Sequence, residues 1–138
     1  MPKTLLLAVS RGLELAAVES RVPPVILACF QDVANMGGPT RRRYARLAGR
    51  LPFVGMLGVG VPAESAPGVR GADLDPQDPL SREWTIVVLG AHEAIALIAR
   101  ECPPPDGQAD DRWFDFAVTH DRARVAEAAL LLMARLSG

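Results

Sequence analysis

"WTIVVLGAHEAIALIAREC", Trp84 to Cys102, begins with an unbroken apolar and β-branched run as far as Leu89, the pattern of a strand buried on both faces. Gly90 ends that run. The remainder, His92 to Cys102, reads as the helix that follows the strand, closed by Pro103, Pro104 and Pro105. The same alternation extends upstream. Leu6, Val9, Leu13, Ala16 and Ala17 recur at helical spacing between Thr4 and Glu19, and Val25 to Phe30 is a second continuous apolar run behind Pro23 and Pro24. After Gly38 and Pro39, Tyr44, Leu47, Ala48 and Leu51 mark an amphipathic helix, and Phe53 to Gly60 reads as the next strand. Residues 61–83 hold four of the twelve prolines and are expected to form an irregular excursion with a short edge strand near Val69 to Leu74. Downstream, "WFDFAVT" (113–119) alternates like a strand, Asp121 can cap, and Val125, Ala128, Ala129, Leu132 and Leu136 form the core stripe of a last helix. Strand followed by helix, repeated without an internal repeat or linker, predicts a single α/β domain over residues 1–138. Its sheet is expected to have four to five strands, largely parallel or mixed, covered by about four helices.

Composition narrows the function. The 138 residues are 49% hydrophobic and 22% charged, which is a folded chain of about one domain. A net charge of −1 gives little support to binding of nucleic acid or an anionic membrane. The charge is uneven all the same: residues 1–60 carry eight basic and three acidic side chains, residues 61–138 seven and thirteen. That polarity suits a protein partner or self-association. The apolar run after Lys3 is interrupted by Arg11 and Glu14, too early for an export segment or a membrane span, so a cytoplasmic protein without membrane contact is expected. Cys29 and Cys102, far apart in sequence, read as small core residues.

No catalytic template is present. None of the serines lies in G-x-S-x-G, no glycine-rich loop ends in Lys-Ser or Lys-Thr, and Lys3 is the only lysine. His92 and His120 lack a recognisable nucleophile or orienting carboxylate, and with the two cysteines they lack the short spacing of zinc ligands, so no cofactor or metal is called for. Asp110 and Asp111 read as a solvated loop, and Trp84 and Trp113 as core anchors.

Candidate binding residues therefore come from position. In α/β sheets, ligands collect at the carboxyl ends of strands, which here carry Gln31, Gly58 and His92. The Gln31 amide either meets a ligand or ties down a loop. The second helix carries Arg41, Arg42, Arg43 and Arg46, with Arg43, Arg46 and Arg50 flanking the apolar stripe that starts at Tyr44. This stripe is either a solvated face or a grip on acidic partners, and Arg42 in the first turn is placed to complete an anion site. Few aromatic residues accompany it, which argues against direct nucleic-acid binding. In the last helix Leu130, Leu131 and Met133 fall outside the core stripe and point to a homodimer interface.

The sequence also resembles a DICT domain, a bacterial sensory module. The resemblance lies in "LLLAVSRGLE", "VILACFQ", "RRYARLA", "FVGMLGVG", "LSREWTIVVLG" and "VTHDRARVAEAALLL", in that order. It implies a non-enzymatic role in signal perception or relay through a signalling or regulatory protein, with a link to light responses that rests on neighbouring domains. It transfers no ligand or catalytic residue. No cyclase, kinase or DNA-binding domain is attached, so the module is expected to signal through a partner or to be a trimmed piece of a longer protein. A small-molecule sensor with a pocket at the strand ends is the competing expectation, and an enzyme of unrecognised type the remaining one.

Overall fold

In the computed structural model, which describes residues 1–105 and 112–136, the segment from Glu83 to Cys102 is a hairpin of two strands. The elements in chain order are α1 (Lys3–Glu19), β1 (Val25–Asp32), α2 (Gly38–Ala48), β2 (Val54–Val59), β3 (Glu64–Ala66), β4 (Val69–Asp73), β5 (Glu83–Leu89), β6 (Ala94–Cys102), β7 (Trp113–Thr119) and α3 (Arg122–Leu136). Short 3-10 turns at Val33–Asn35 and Pro79–Arg82 follow β1 and precede β5. All strands join one sheet in the order β3-β4-β2-β1-β5-β6-β7. β1 pairs with β2 in parallel, and β2 with β4; the remaining pairs are antiparallel.

The α/β class expected from the sequence holds, with two corrections of detail. Among the described residues the sheet has seven strands rather than four or five, and three α-helices cover it rather than about four. Both corrections have one main source, the segment read as a helix after β5. Leu89 pairs with Ala94 across a four-residue turn, and the pairing continues to Glu83 with Arg100. Leu97 and Ala99 then face one side of the sheet and Ala96 the other, and all three are buried. A strand covered on both faces has no alternation to display, so its apolar run looks like a buried helix. Seven consecutive pairings with β5 outweigh the helix propensity of its alanines and leucine. The edge strand expected in the excursion forms as β4, but the short β3 pairs outside it and takes the edge itself.

Side chains alternate along β1 and divide the core in two. Ile26, Ala28 and Phe30 meet α1 and α2 on one face, together with Met56, Trp84 and Ile86. Leu27 and Cys29 meet Val125, Ala129, Leu132 and Leu136 of α3 on the other. Trp84 is the anchor of the first layer: it lies edge-on to Phe30 at 4.9 Å between ring centres, and its indole N–H donates to Ser10 Oγ at 3.1 Å. Ser10 in turn donates to the Leu6 carbonyl at 2.8 Å, so the buried polar group is fully used. Cys29 is wholly buried, and burial pushes its thiol up to about 12. Cys102 and Trp113 are only half-buried, at the outer end of the β6–β7 pair, and do not join the deep core. Outside β7 the chain's own start closes part of the edge, as Phe114 N–H donates to the Met1 carbonyl at 2.8 Å and Lys3 N–H to the Arg112 carbonyl at 3.0 Å.

At the other edge, Gly71 donates its N–H to the Ala63 carbonyl at 2.7 Å, and a Cβ on Gly71 would sit 1.9 Å from the Pro62 carbonyl oxygen. Backbone cannot yield as a side-chain tip can. Gly71→Ala is therefore expected to cost about 1–3 kcal/mol, read as a lower urea midpoint at unchanged slope.

Candidate functional site

The chemistry concentrates where α1 crosses α2. Four residues of α1, Arg11, Glu14, Leu15 and Val18, and four from α2 and the turn after it, Arg43, Arg46, Leu47 and Arg50, line a groove of about 490 Å³. Each set has the spacing i, i+3, i+4 and i+7, which puts it on one side of its helix. The two sides face each other. Leu47 is buried beneath the groove and Leu15 is 56% exposed to it. Tyr44, also on α2, is not in the groove: it is wholly buried against Phe30, edge-on at 5.6 Å, so its ring is core.

Glu14 is 5% exposed, an unusual place for a carboxylate, and Arg43 explains it. The guanidinium Nε donates to Glu14 Oε1 at 2.8 Å and Nη2 to Oε2 at 3.4 Å, a two-point contact that joins the helices. Burial opposes the Arg43 charge, but the bond to Glu14 more than offsets it and raises the pKa. Burial and the neighbouring Glu14 charge both push the Tyr44 hydroxyl well above its ordinary range. That hydroxyl lies near Glu14 without closing a hydrogen bond of good geometry. Arg11, Arg46 and Arg50 are exposed and have no acidic partner among the described residues. The groove thus presents three uncompensated guanidinium groups around an apolar floor.

Gln31 occupies a second, polar hollow of about 360 Å³ at the carboxyl end of β1. Its φ of 70° is the only positive value at a non-glycine position among the described residues. The side chain holds the conformation from both ends. Gln31 Nε2 donates to the Arg82 carbonyl and to Glu101 Oε1, each at 3.3 Å, and Oε1 accepts from Arg112 Nη2. Arg112 also donates to both oxygens of Glu101, at 3.1 and 2.7 Å, and to Asn35 Oδ1 at 3.1 Å. These bonds hold the Glu101 carboxyl below its ordinary 4.5. Gln31 therefore ties the ends of β1, β6 and β7 together.

The other expected residues do not assemble around Gln31. His92 is exposed in the β5–β6 turn, at the far end of β5, which at about 3.4 Å per residue puts it roughly 20 Å away. Beside it, Arg122 of α3 donates to the Gly90 carbonyl at 2.8 Å. Arg42 folds back over Gly38 and does not line the groove; α2 already starts at Gly38, so Arg42 falls in its second turn rather than the first. Arg43 and Arg46 are the two expected residues that the fold brings together. Leu130 and Leu131 are exposed on the outer side of α3, 70% and 55%, while Met133 packs partly against the α3-side core. Asp110 and Asp111 lie outside the described residues. Sequence reasoning missed Arg11, Glu14 and Leu15, although their spacing with Val18 was there to read, and it missed Arg112 and Glu101, which only the fold brings near Gln31.

Three comparisons with known proteins bear on this site. The profile of the DICT family, described as the sensory domain in diguanylate cyclases and two-component systems, matches residues 1–102, from α1 through β6. The matched span contains the whole groove, whereas β7 and α3 lie beyond it. No curated protein and no solved structure matches the chain. No helix among the described residues is long and apolar enough to cross a membrane.

Two predictions follow from the two networks. Arg43→Gln leaves the Glu14 carboxylate buried without its partner and should lower stability by about 2–4 kcal/mol, whereas Arg42→Gln and Arg46→Gln should each stay within about 0.5 kcal/mol; chemical denaturation of the three variants checks this. Glu101 has a depressed folded pKa, so its stabilisation is complete above 4.5 and disappears as pH falls through the lower folded value. Asp78, lowered by its bond from Arg135, titrates in the same sense below 3.8. Denaturation midpoints should fall on acidification from pH 5 to pH 3, and Arg112→Gln should make that fall shallower.

Proposed function

Because the chain belongs to the DICT family of sensory domains, we propose that it is a non-enzymatic cytoplasmic signalling module that passes its state on by protein contact, first of all with a second copy of itself. The observation that carries this reading is the outer side of α3. Val125, Ala129, Leu132 and Leu136 already fill the inner side, so Leu130 and Leu131 stand in solvent with no core to enter. Two large apolar side chains adjacent on one helix form a patch that a two-fold partner covers with the same two residues. Each leucine fully buried there contributes roughly 1.5–3 kcal/mol. Met133, half-buried at its margin, joins the interface through its exposed part. A signalling or regulatory protein reads the change in association or docks on the same surface. Multi-angle light scattering at high micromolar concentration tests the idea. The unaltered protein should run as a dimer, and Leu130→Glu with Leu131→Glu as a monomer with unchanged circular dichroism. An unaltered protein that is monomeric at that concentration overturns it.

A further inference from the structure

We propose that the groove between α1 and α2 binds a small amphipathic organic anion, an apolar body carrying a carboxylate, sulfonate or phosphate group. The inference rests on the sensory reading only in supplying what is sensed, and it does not depend on the dimer.

Four observations lead to it. First, the volume of about 490 Å³ is that of a small-molecule site. Second, its floor is apolar and wet: Leu15 is 56% exposed there and Val18 half-buried, above the buried Leu47. Third, the charge is one-sided. Of the groove's four arginines, Arg43 is neutralised by Glu14, and Arg11, Arg46 and Arg50 remain around the apolar floor without an acid among the described residues. Like charges arranged at one and two helical turns repel, and an anion lying between them removes that repulsion. Fourth, the walls are fixed. The two-point Arg43–Glu14 bond holds one helix against the other, so the groove exists before anything enters it.

The two halves of the ligand follow from the two halves of the site. Guanidinium forks bind carboxylate and phosphate oxygens in pairs, which assigns the anionic head to Arg46 and Arg50 with Arg11 opposite. Leu15, Val18 and Leu47 offer nothing polar and assign the tail. A nucleic-acid strand is a poor occupant, since no aromatic ring lines the groove for a base to stack on. An inorganic anion alone leaves Leu15 in water.

The probe is 8-anilinonaphthalene-1-sulfonate, an amphipathic anion whose fluorescence rises on burial, titrated into the purified protein with decanoate, decyl phosphate and neutral decanol as competitors. One saturable site per chain is expected, displaced by the two anions and not by decanol. Arg46→Gln, Arg50→Gln and Arg11→Gln should each weaken binding roughly two- to fivefold, and Leu15→Glu should abolish it, all with unchanged circular dichroism. Leu130→Glu with Leu131→Glu, on the opposite layer, should leave the affinity unaltered. The proposal is overturned if the arginine variants bind as well as the parent, if decanol competes as well as decanoate, if the α3 variant loses the probe, or if an acidic amphipathic peptide binds the groove and decanoate does not. Light scattering of the same samples keeps the two ideas separate: an unaltered protein that is monomeric yet binds the probe sinks only the α3 reading, and an unaltered dimer without the expected probe binding sinks only this one.

Discussion

Strand β1 has neither a free edge nor a free face. β2 pairs along one side and β5 along the other, and its alternate residues Ile26, Ala28, Phe30 and Leu27, Cys29 are buried in opposite layers. This enclosure determines much of what surrounds it. Both helical layers exist because both faces of β1 need cover, and every residue of the strand interior is committed to packing, with no room for a ligand. Where the strand runs out, at Gln31, the chain must turn abruptly before Asn35, and a left-handed residue held by Arg82, Glu101 and Arg112 makes that turn. Recognition is displaced outward, to the helices and their junctions.

On those helices, most of the charge reading turns on one carboxylate. Glu14 lies on the buried side of α1 together with Ser10, in the stripe Leu6, Ser10, Leu13, Glu14 and Ala17. Each polar member has a dedicated partner, Trp84 for Ser10 and Arg43 for Glu14. Glu14 thus withdraws one arginine from a row that otherwise looks uniform. Arg43 is a fastener between helices, Arg42 lies over the start of its own helix, and Arg46 with Arg50 is left facing the groove. Four arginines in six positions have at least three different physical roles, set by which acid or surface each one meets.

The parts of the fold legible in the sequence were those with a single period or a clear punctuation. α1, β1, α2, β2, β5 and α3 lie close to where apolar spacing and the Pro and Gly residues put them, and β7 forms over the seven residues expected, although Phe114 is buried and Phe116 and Val118 are exposed. β6 was not legible, because a strand sandwiched between α1 and α3 shows the same unbroken run of apolar residues as a buried helix. Its two isoleucines were the weak β signal, and its alanines and leucine pointed the other way. The site was legible by half. Spacing alone placed Arg43 and Arg46 beside the apolar stripe of α2, but the facing residues of α1 could be matched to them only by a packing angle that no local pattern encodes. Gln31 and His92 were grouped because both were taken to end parallel strands. Antiparallel pairing of β5 with β1 sends His92 to the end of the sheet opposite Gln31 and so disperses the expected pocket.

The groove and the outer side of α3 lie on opposite sides of one sheet, and the same strands back both. Trp84 and Ile86 of β5 support α1, while Val87, between Ile86 and the next α1-side residue Val88, supports α3. A strand that serves both layers through successive residues cannot shift toward one without disturbing the other, since close packing leaves no slack to absorb the movement. Contact between layers is not in itself communication, which needs an element with two arrangements. Within the α1–α2 layer, the two-point Arg43–Glu14 bond joins the groove's walls above their shared apolar core, and Ser10 bonds α1 to Trp84 of the sheet one turn away. Occupancy between Arg11 and Arg46 would load that bond and that indole first. Any consequence at α3 therefore has to cross the sheet through strands such as β1 and β5, whose successive residues pack in both layers.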